Sequence, residues 1–441
     1  MSRARSGDTN LPTADRSAMI GVMPKAVQVD AATRRARLAV GALFLTNAVL
    51  YANVVPRLPE IRDSLGLTNA ALGTAIAAMP TGALVAGWFA PVLIGRFGSA
   101  RLASWGLVAL AVATGSIPLA GSWGGLVAVF LVIGAVDSVV DVAQNSHGFR
   151  VQRRYGRSIV NTFHGMWSVG AVTGGSMGAI AAGLGIGLGV HLPVVAVVFA
   201  VLAIVAGRQL LAGPENSERV PSMSPGPVSD PPLAPEVLAD PPRGGEWGGR
   251  RLPGSVSVWL LAGFGVLAVC GAVVEDAGGS WGAIYLRDEL GAAPAVAGLG
   301  FVGLQAAMTV GRFAGDRIVD RWGQLQVVRL GGLLVVGGLG VALAVPTVAT
   351  TVVGFAVAGL GVATVIPAAM HAADELDGPG PGIGLTAVSW SLRVGFLVSP
   401  PLVGAIADAT SLRLALVGVP LAGIVIVLLA GLLREPEPRP T

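Results

Sequence analysis

The feature that most constrains this chain is a succession of apolar runs, each about as long as a bilayer is thick. They fall near 38–57, 70–94, 102–120, 124–146, 159–185, 191–210, 256–277, 293–314, 327–347, 351–371, 383–406 and 413–433. A helix needs about 20 apolar residues to cross a hydrocarbon core of about 30 Å, and each run supplies them. The runs are too continuous for the alternating segments of roughly ten residues that build an outer-membrane barrel, so they predict helices. Composition agrees: 12% of the chain is charged, against about 25% in soluble domains. The net charge of +4 suggests nucleic-acid binding only until the charges are placed, because almost all of them lie between the apolar runs. The lipid bilayer is the implied partner, and nucleic acid is not.

Arginine sets the expected orientation. With the N-terminus inside, 24 of the 29 Lys and Arg residues fall on the inner side and four on the outer side, namely Arg57, Arg62, Arg287 and Arg413. Arg393 lies within a run. Both termini are therefore expected in the cytoplasm, in a multi-pass protein of the cytoplasmic (inner) membrane. The first 33 residues are polar and read as a cytoplasmic tail, and residues 435–441 read as another. Residues 211–253 hold ten prolines and few apolar side chains, which predicts a disordered cytoplasmic linker. This divides the chain into a bundle over 34–210 and a second over 254–434.

The two bundles repeat at a constant shift of 225 residues. Arg62-Asp63-Ser64-Leu65-Gly66 matches Arg287-Asp288-Glu289-Leu290-Gly291, and Arg96-Phe97-Gly98 matches Arg321-Trp322-Gly323. Gly73, Gly134 and Val169-Gly170 match Gly298, Gly359 and Val394-Gly395 at the same shift. The fold class implied is an all-α membrane protein with twelve transmembrane helices in two six-helix bundles, related by a pseudo-two-fold along the membrane normal. On this layout the chain resembles the major facilitator superfamily from residue 34 to 434. That family's Gly-x-x-x-Asp-Arg-x-Gly signature is matched by Asp316-Arg317-Ile318-Val319-Asp320-Arg321-Trp322-Gly323. In the first half it reads Pro91-Val92-Leu93-Ile94-Gly95-Arg96-Phe97-Gly98, with Gly95 in place of the aspartate. The resemblance implies a cytoplasmic gate at Arg96, Gly98, Asp316, Asp320, Arg321 and Gly323. Asp141-Val142-Ala143-Gln144-Asn145-Ser146-His147-Gly148 and Phe163-His164-Gly165-Met166-Trp167-Ser168-Val169-Gly170 resemble the MosC-like branch of that family.

Charged side chains at bilayer depth cost about 2.5–3.5 kcal/mol on insertion scales and mark candidate sites. Asp137, Asp141 and Asn145 recur every four residues, which stacks them on one helix face. Asp137 and Asp141 are the candidate proton carriers, with His164, Glu275 and Asp276 as further proton-coupling groups. Glu275 and Asp276 are expected towards the outer end of the seventh run. Candidate substrate contacts are Asn47, Tyr51, Asn145, Trp167, Gln305, Trp390 and Arg393. Arg393 reads as the one basic residue buried in a span, able to bind an anionic group or to neutralise Asp137, Asp141 or Glu275. Gly170-x-x-x-Gly174-x-x-x-Gly178 predicts close approach of the fifth helix to a neighbour.

Other functions find no support in the residues. There is no phosphate loop, and Lys25 is the only lysine, which argues against an ATP-driven pump. The four histidines have no metal-ligand spacing, the single cysteine excludes an intramolecular disulfide, and no nucleophile stands with a base. No cofactor or metal is expected, and the chain does not read as an enzyme. The favoured reading is a monomeric, proton-coupled secondary transporter, a symporter of a small polar solute such as a sugar, polyol or aminocyclitol. The alternatives are a proton-driven exporter of a metabolite or drug, and a non-transporting membrane sensor.

Overall fold

A computed structural model of the chain describes residues 29–156, 159–213, 254–376 and 383–433. The proline-rich segment from 214, the N-terminal residues to 28 and those from 434 lie outside the described residues, as does the Asp316 side chain. The described residues are helical and contain no strand.

Helix ends fall where the local chemistry puts them. α1 (Ala31–Val54) starts at Asp30, whose carboxylate accepts from the Thr33 backbone N–H. Pro56 and Pro59 then tighten the chain into a short 3₁₀ turn and α2 (Leu58–Ser64). The first half continues through α3 (Asn69–Ile76), α4 (Ala78–Gly87), α5 (Ala90–Phe97) and α6 (Ser99–Gly115). α7 (Trp123–Tyr155), α8 (Val160–Gly183) and α9 (Leu188–Gly207) complete it. The second half begins with α10 (Gly254–Asp276), which passes through a π turn at Ala277–Trp281 into α11 (Gly282–Asp288). Then come α12 (Pro294–Ala297), α13 (Leu299–Trp322), α14 (Gln324–Ala344), α15 (Val348–Val362), α16 (Val365–Asp374), α17 (Ile383–Ala409), α18 (Leu412–Ala415) and α19 (Gly418–Leu429).

Among the described residues, ten stretches are long and apolar enough to cross a membrane. An eleventh arises when α5 and α6, bent by 114° at Gly98, are taken as one span. The fifth expected run forms α8, a helix of 24 residues rich in small and polar side chains. Gly98 and Gly323 have φ of 83° and 77°, so the repeated Arg-aromatic-Gly block ends a helix in a conformation that favours glycine. Several helices outrun their apolar cores. α7 continues to Tyr155 and α13 to Trp322, so Arg150, Arg153, Arg154, Arg317 and Arg321 ride on helices rather than loops. The reason is that nothing breaks either helix before Gly156 and Gly323.

Helix α8 packs closely on both sides, because both of its faces are glycine-rich. Gly170, Gly174 and Gly178 press on the α1 backbone; a Cβ on Gly174 would lie 2.6 Å from the Val49 carbonyl oxygen. On the other face, Gly165 and Gly175 meet Phe313 and Phe301 of α13 in the opposite half. The halves meet most closely at the end away from the start of α1, here the far side. There Gly73 lies under Pro400, Gly404 under Asn69, and Gly298 beside Ala179. Asp408 of α17 accepts from the Asn69 and Ala70 backbone N–H groups at 2.9 and 2.8 Å, capping α3 across the seam.

Candidate transport site

Closure at the far side leaves the seam open at the near side, where α1 begins. A cavity of about 610 Å³ lies there between α8 of the first half and α13 and α16 of the second. His164, Trp167, Thr309, Arg312, Asp320 and His371 supply its polar wall, with Phe313 and Pro367 among the apolar lining. The size suits a small organic solute.

The acidic face of α7 connects to this cavity through His164, which lines it and lies within electrostatic reach of Asp141. Asp137 sits 14 residues into the helix, about 21 Å from its start at 1.5 Å per residue, and so well inside the apolar span. Its carboxylate accepts from the Asn47 amide at 2.6 Å, and the Asn47 amide oxygen accepts from the Trp167 indole N–H at 3.0 Å. Asp141, one turn on, takes a 3.0 Å hydrogen bond from Asn145 and lies within electrostatic reach of His164 and Arg393. Asn145 is thus held back against Asp141. His164 packs edge-on to Phe44, ring centroids 5.3 Å apart, while lining the cavity.

The second half contributes a different arrangement. Glu275 and Asp276 were expected near an outer helix end; they instead lie mid-span, because α10 continues through the π turn to Asp288. Such a turn inserts a residue into the α ladder and is frequently found at functional sites. Asp276 is buried and accepts from Ser280 and from Ser399, the latter at 2.7 Å. Glu275 pairs with Arg312 at 3.0 Å. Tyr51 of α1 is partly exposed and comes near Gly279 in the π turn.

Arg312 is the residue that sequence reasoning misplaced. The charge count places Arg312 among the inner-side residues, at the end of the eighth run, and leaves Arg393 as the only basic residue buried in a span. Arg312 actually lies ten residues inside the end of α13, about 15 Å along the helix. The signal was present, since no helix breaker occurs before Gly323. Arg393 is exposed on α17, in electrostatic reach of Asp137 and Asp141, and makes neither an ion pair nor a hydrogen bond with a described residue. The expected neutralising pair with Asp137, Asp141 or Glu275 is therefore not formed here. Trp390 packs on Trp88 of the first half, centroids 6.0 Å apart, and Gln305 is buried in α13. At the gate motif, Arg96 stacks on Phe97, while Asp320 lines the cavity. Arg96, Asp320 and Arg321 make no ion pair with a described residue.

Histidine 147, part of the recognised α7 motif, is structural. Its Nε2 accepts from the Leu211 backbone N–H at 3.1 Å and its Nδ1 donates to Ser99, tying the chain after α9 to the bundle. His191 is held likewise, between Arg57 and Asn53.

The Glu275–Arg312 pair yields a stability prediction. Arg312→Met strands a partly buried carboxylate and should cost roughly 1–3 kcal/mol after allowance for the solvent that both groups touch. Arg312→Met/Glu275→Leu should regain most of that loss, as read by thermal unfolding in detergent. A double variant no more stable than the single would show that the pair is not the source.

The Major Facilitator Superfamily profile matches residues 272–441. An uncharacterized transporter of Sinorhizobium fredii is 29% identical over 401 residues, spanning 90% of this chain and 97% of the relative. Membrane protein MosC of Rhizobium meliloti is 27% identical over 393 residues, 88% of each chain. The crystal structure of a bacterial homolog of the human lysosomal transporter Spinster, inward-facing and unoccupied, superposes with a TM-score of 0.68 at 14% identity, covering 91% of this chain and 98% of that one. The nucleoside transporter NupG superposes with a TM-score of 0.64 at 12% identity, covering 90% and 95%. The repeat, the two-bundle fold and these relatives agree: the second half of the chain matches the Major Facilitator Superfamily profile, and the whole chain is similar to multi-pass membrane transporters of that kind, rather than to enzymes, with a resemblance to the MosC-like branch.

Proposed function

We propose that the protein is a proton-coupled transporter of a small polar solute, of the sugar, polyol or aminocyclitol class, working by alternating access as a monomer. The observation that carries this reading is the juxtaposition of a solute-sized cavity with two intramembrane aspartates on one helix face. An ionisable group at that depth is retained for a reason, and a pair one turn apart on the cavity side suits proton binding and release. The abundance of hydroxyl, amide and imidazole groups at the cavity supports a polar cargo. The arginine bias of the near side supports a cytoplasmic location for the termini, in which case the conformation described is inward-facing in the inner membrane. Asp141 is the principal carrier in this reading, with Asp137 beside it and His164 between Asp141 and the cavity.

The test is solute-driven proton movement in proteoliposomes, with sugars, inositols and amino-sugars offered in turn. Wild-type protein should acidify or alkalinise the lumen when a transported solute is added, and Asp141→Asn should reduce that flux on the order of tenfold or more. Undiminished flux in Asp141→Asn would remove that aspartate from the mechanism. Solute movement without proton movement would defeat the coupling.

A further inference from the structure

Two hydrogen bonds at the site have a consequence that neither residue suggests alone. We infer that Asn47 is a positioning residue that couples proton binding at Asp137 to the setting of Trp167 in the cavity wall. This rests on reading Asp137 as a proton carrier.

The inference begins from donor and acceptor chemistry. An indole N–H can only donate, so the Asn47 group facing Trp167 must be its carbonyl oxygen. That fixes the amide, and its NH₂ must then face Asp137, where it donates to Oδ1. The arrangement suits the ionised carboxylate. A proton arriving on Oδ1 would set donor against donor. A proton on Oδ2 would leave a neutral acceptor, and a hydrogen bond to a neutral group is roughly half as strong as one to a charged group. In either case Asn47 is released to turn. Turning its NH₂ towards Trp167 would again oppose two donors, so the indole must shift with it. Asn47 offers the indole N–H its one hydrogen bond among the described residues. Trp167 also lines the cavity, so its shift reaches any bound solute. By linkage, a solute pressing on Trp167 must alter proton affinity at Asp137 to the same extent.

The internal repeat shows that the relay is specific to the first half. At the 225-residue shift, Asn47, Asp137 and Trp167 correspond to Ala272, Val362 and Leu392, all apolar. Conversely, Glu275 and Arg312 correspond to Leu50 and Gly87. The triad is therefore not needed to build a six-helix bundle of this type. Other charged or titratable groups face it: Asp141 on the same helix, Arg393 from α17, Tyr51 from α1, and His164 beside Trp167 on α8.

The test reads Trp167 by fluorescence while pH is varied from roughly 5 to 9, a range that also covers the imidazole of His164. Because the chain has nine tryptophans, the signal is taken as wild type minus Trp167→Phe, and each variant is measured with and without Trp167→Phe. A pH transition is expected in the wild type and in Asp141→Asn, with its amplitude lost in Asp137→Asn and in Asn47→Ala. Asn47→Ser serves as a second variant with the same expected loss, and gel filtration confirms that each protein is folded. A purely structural Asn47 would change the spectrum without removing its pH dependence. A transition that persists in folded Asn47→Ala or in Asp137→Asn overturns the relay. A transition that behaves as expected, with no solute-driven proton flux in liposomes, upholds the relay and defeats only the coupled-transport reading.

Discussion

Gly174→Val should prevent the first and fifth spans from docking and cost the protein much of its stability. The residue is buried, and its missing side chain is what allows α8 to lie against α1; a Cβ would stand 2.6 Å from the Val49 carbonyl oxygen and 2.8 Å from the Val49 Cα. Both obstructing atoms are backbone and cannot rotate away, so the helices themselves must separate. Separation spreads to Gly170 and Gly178, which rest on Leu45 and Asn53 of the same helix. Overpacking of this kind costs about 1–3 kcal/mol at a single site, and more where a backbone contact is lost. In a membrane, close packing contributes more of the association energy than it does in water, because lipid is as apolar as the helix face. The expected drop in melting temperature in detergent is about 5–10 °C. Gly340→Val is the control, since a Cβ there meets nothing within 4 Å and leaves packing untouched. Equal losses in both variants would show that helix propensity, not the α1–α8 contact, is responsible.

The sequence revealed the architecture more readily than the site, for a physical reason. Bilayer-length apolar runs, a repeat with no net insertion and the glycine series of α8 are properties of one segment or of a constant shift, and each survives in linear order. The site depends on which helix ends where. Arg312 was misplaced because its apolar run ends near it, whereas the helix persists to a glycine stop eleven residues later. Glu275 and Asp276 were set near an interface because the run ends there too, and the π turn that carries the helix onward leaves no plain mark in composition. The face shared by Asp137, Asp141 and Asn145 follows from spacing alone. Their partners do not: Asn47 and Trp167 reach Asp137 from separate helices, 90 and 120 residues apart along the two hydrogen bonds.

The two halves share a backbone plan but not a chemistry. Positions that carry the polar triad in the first half are apolar in the second, and the reverse holds for Glu275 and Arg312. What both halves retain is confined to turns, helix–helix contacts and one pair of charged blocks. The shared turns and contacts keep the two halves alike in backbone, while their polar residues differ.

That pair of charged blocks makes the second large prediction: Asp63→Asn/Asp288→Asn should open the far side of the protein. The Arg-Asp blocks of the two halves meet there across the seam. Arg62 reaches Asp288 at 2.6 Å and Arg287 reaches Asp63 at 2.7 Å. Each arginine also touches the aspartate next to it, at 2.9 Å in both halves. The four charges therefore form a closed ring of alternating sign, as a two-fold relation between equal motifs requires. An isolated surface pair contributes about 0.2–1 kcal/mol, but a ring of four with both arginines largely covered lies at the upper end for each pair. Neutralising both aspartates also leaves two arginines facing one another, which favours separation. The closed-to-open ratio at the far side should fall about 5- to 30-fold, equivalent to about 1–2 kcal/mol. Spin labels at Ser64→Cys and Ala293→Cys would report the change, in a Cys270→Ser background that removes the chain's only native cysteine. The interspin distance distribution should gain a longer component in the double variant. Raising salt from 0.1 to 1 M shortens the screening length from about 10 Å to about 3 Å and should move the wild type in the same direction, with little further effect on the variant. An unchanged distribution would mean that Asp408 and the glycine contacts at Pro400 and Asn69 hold the far side closed without the ring.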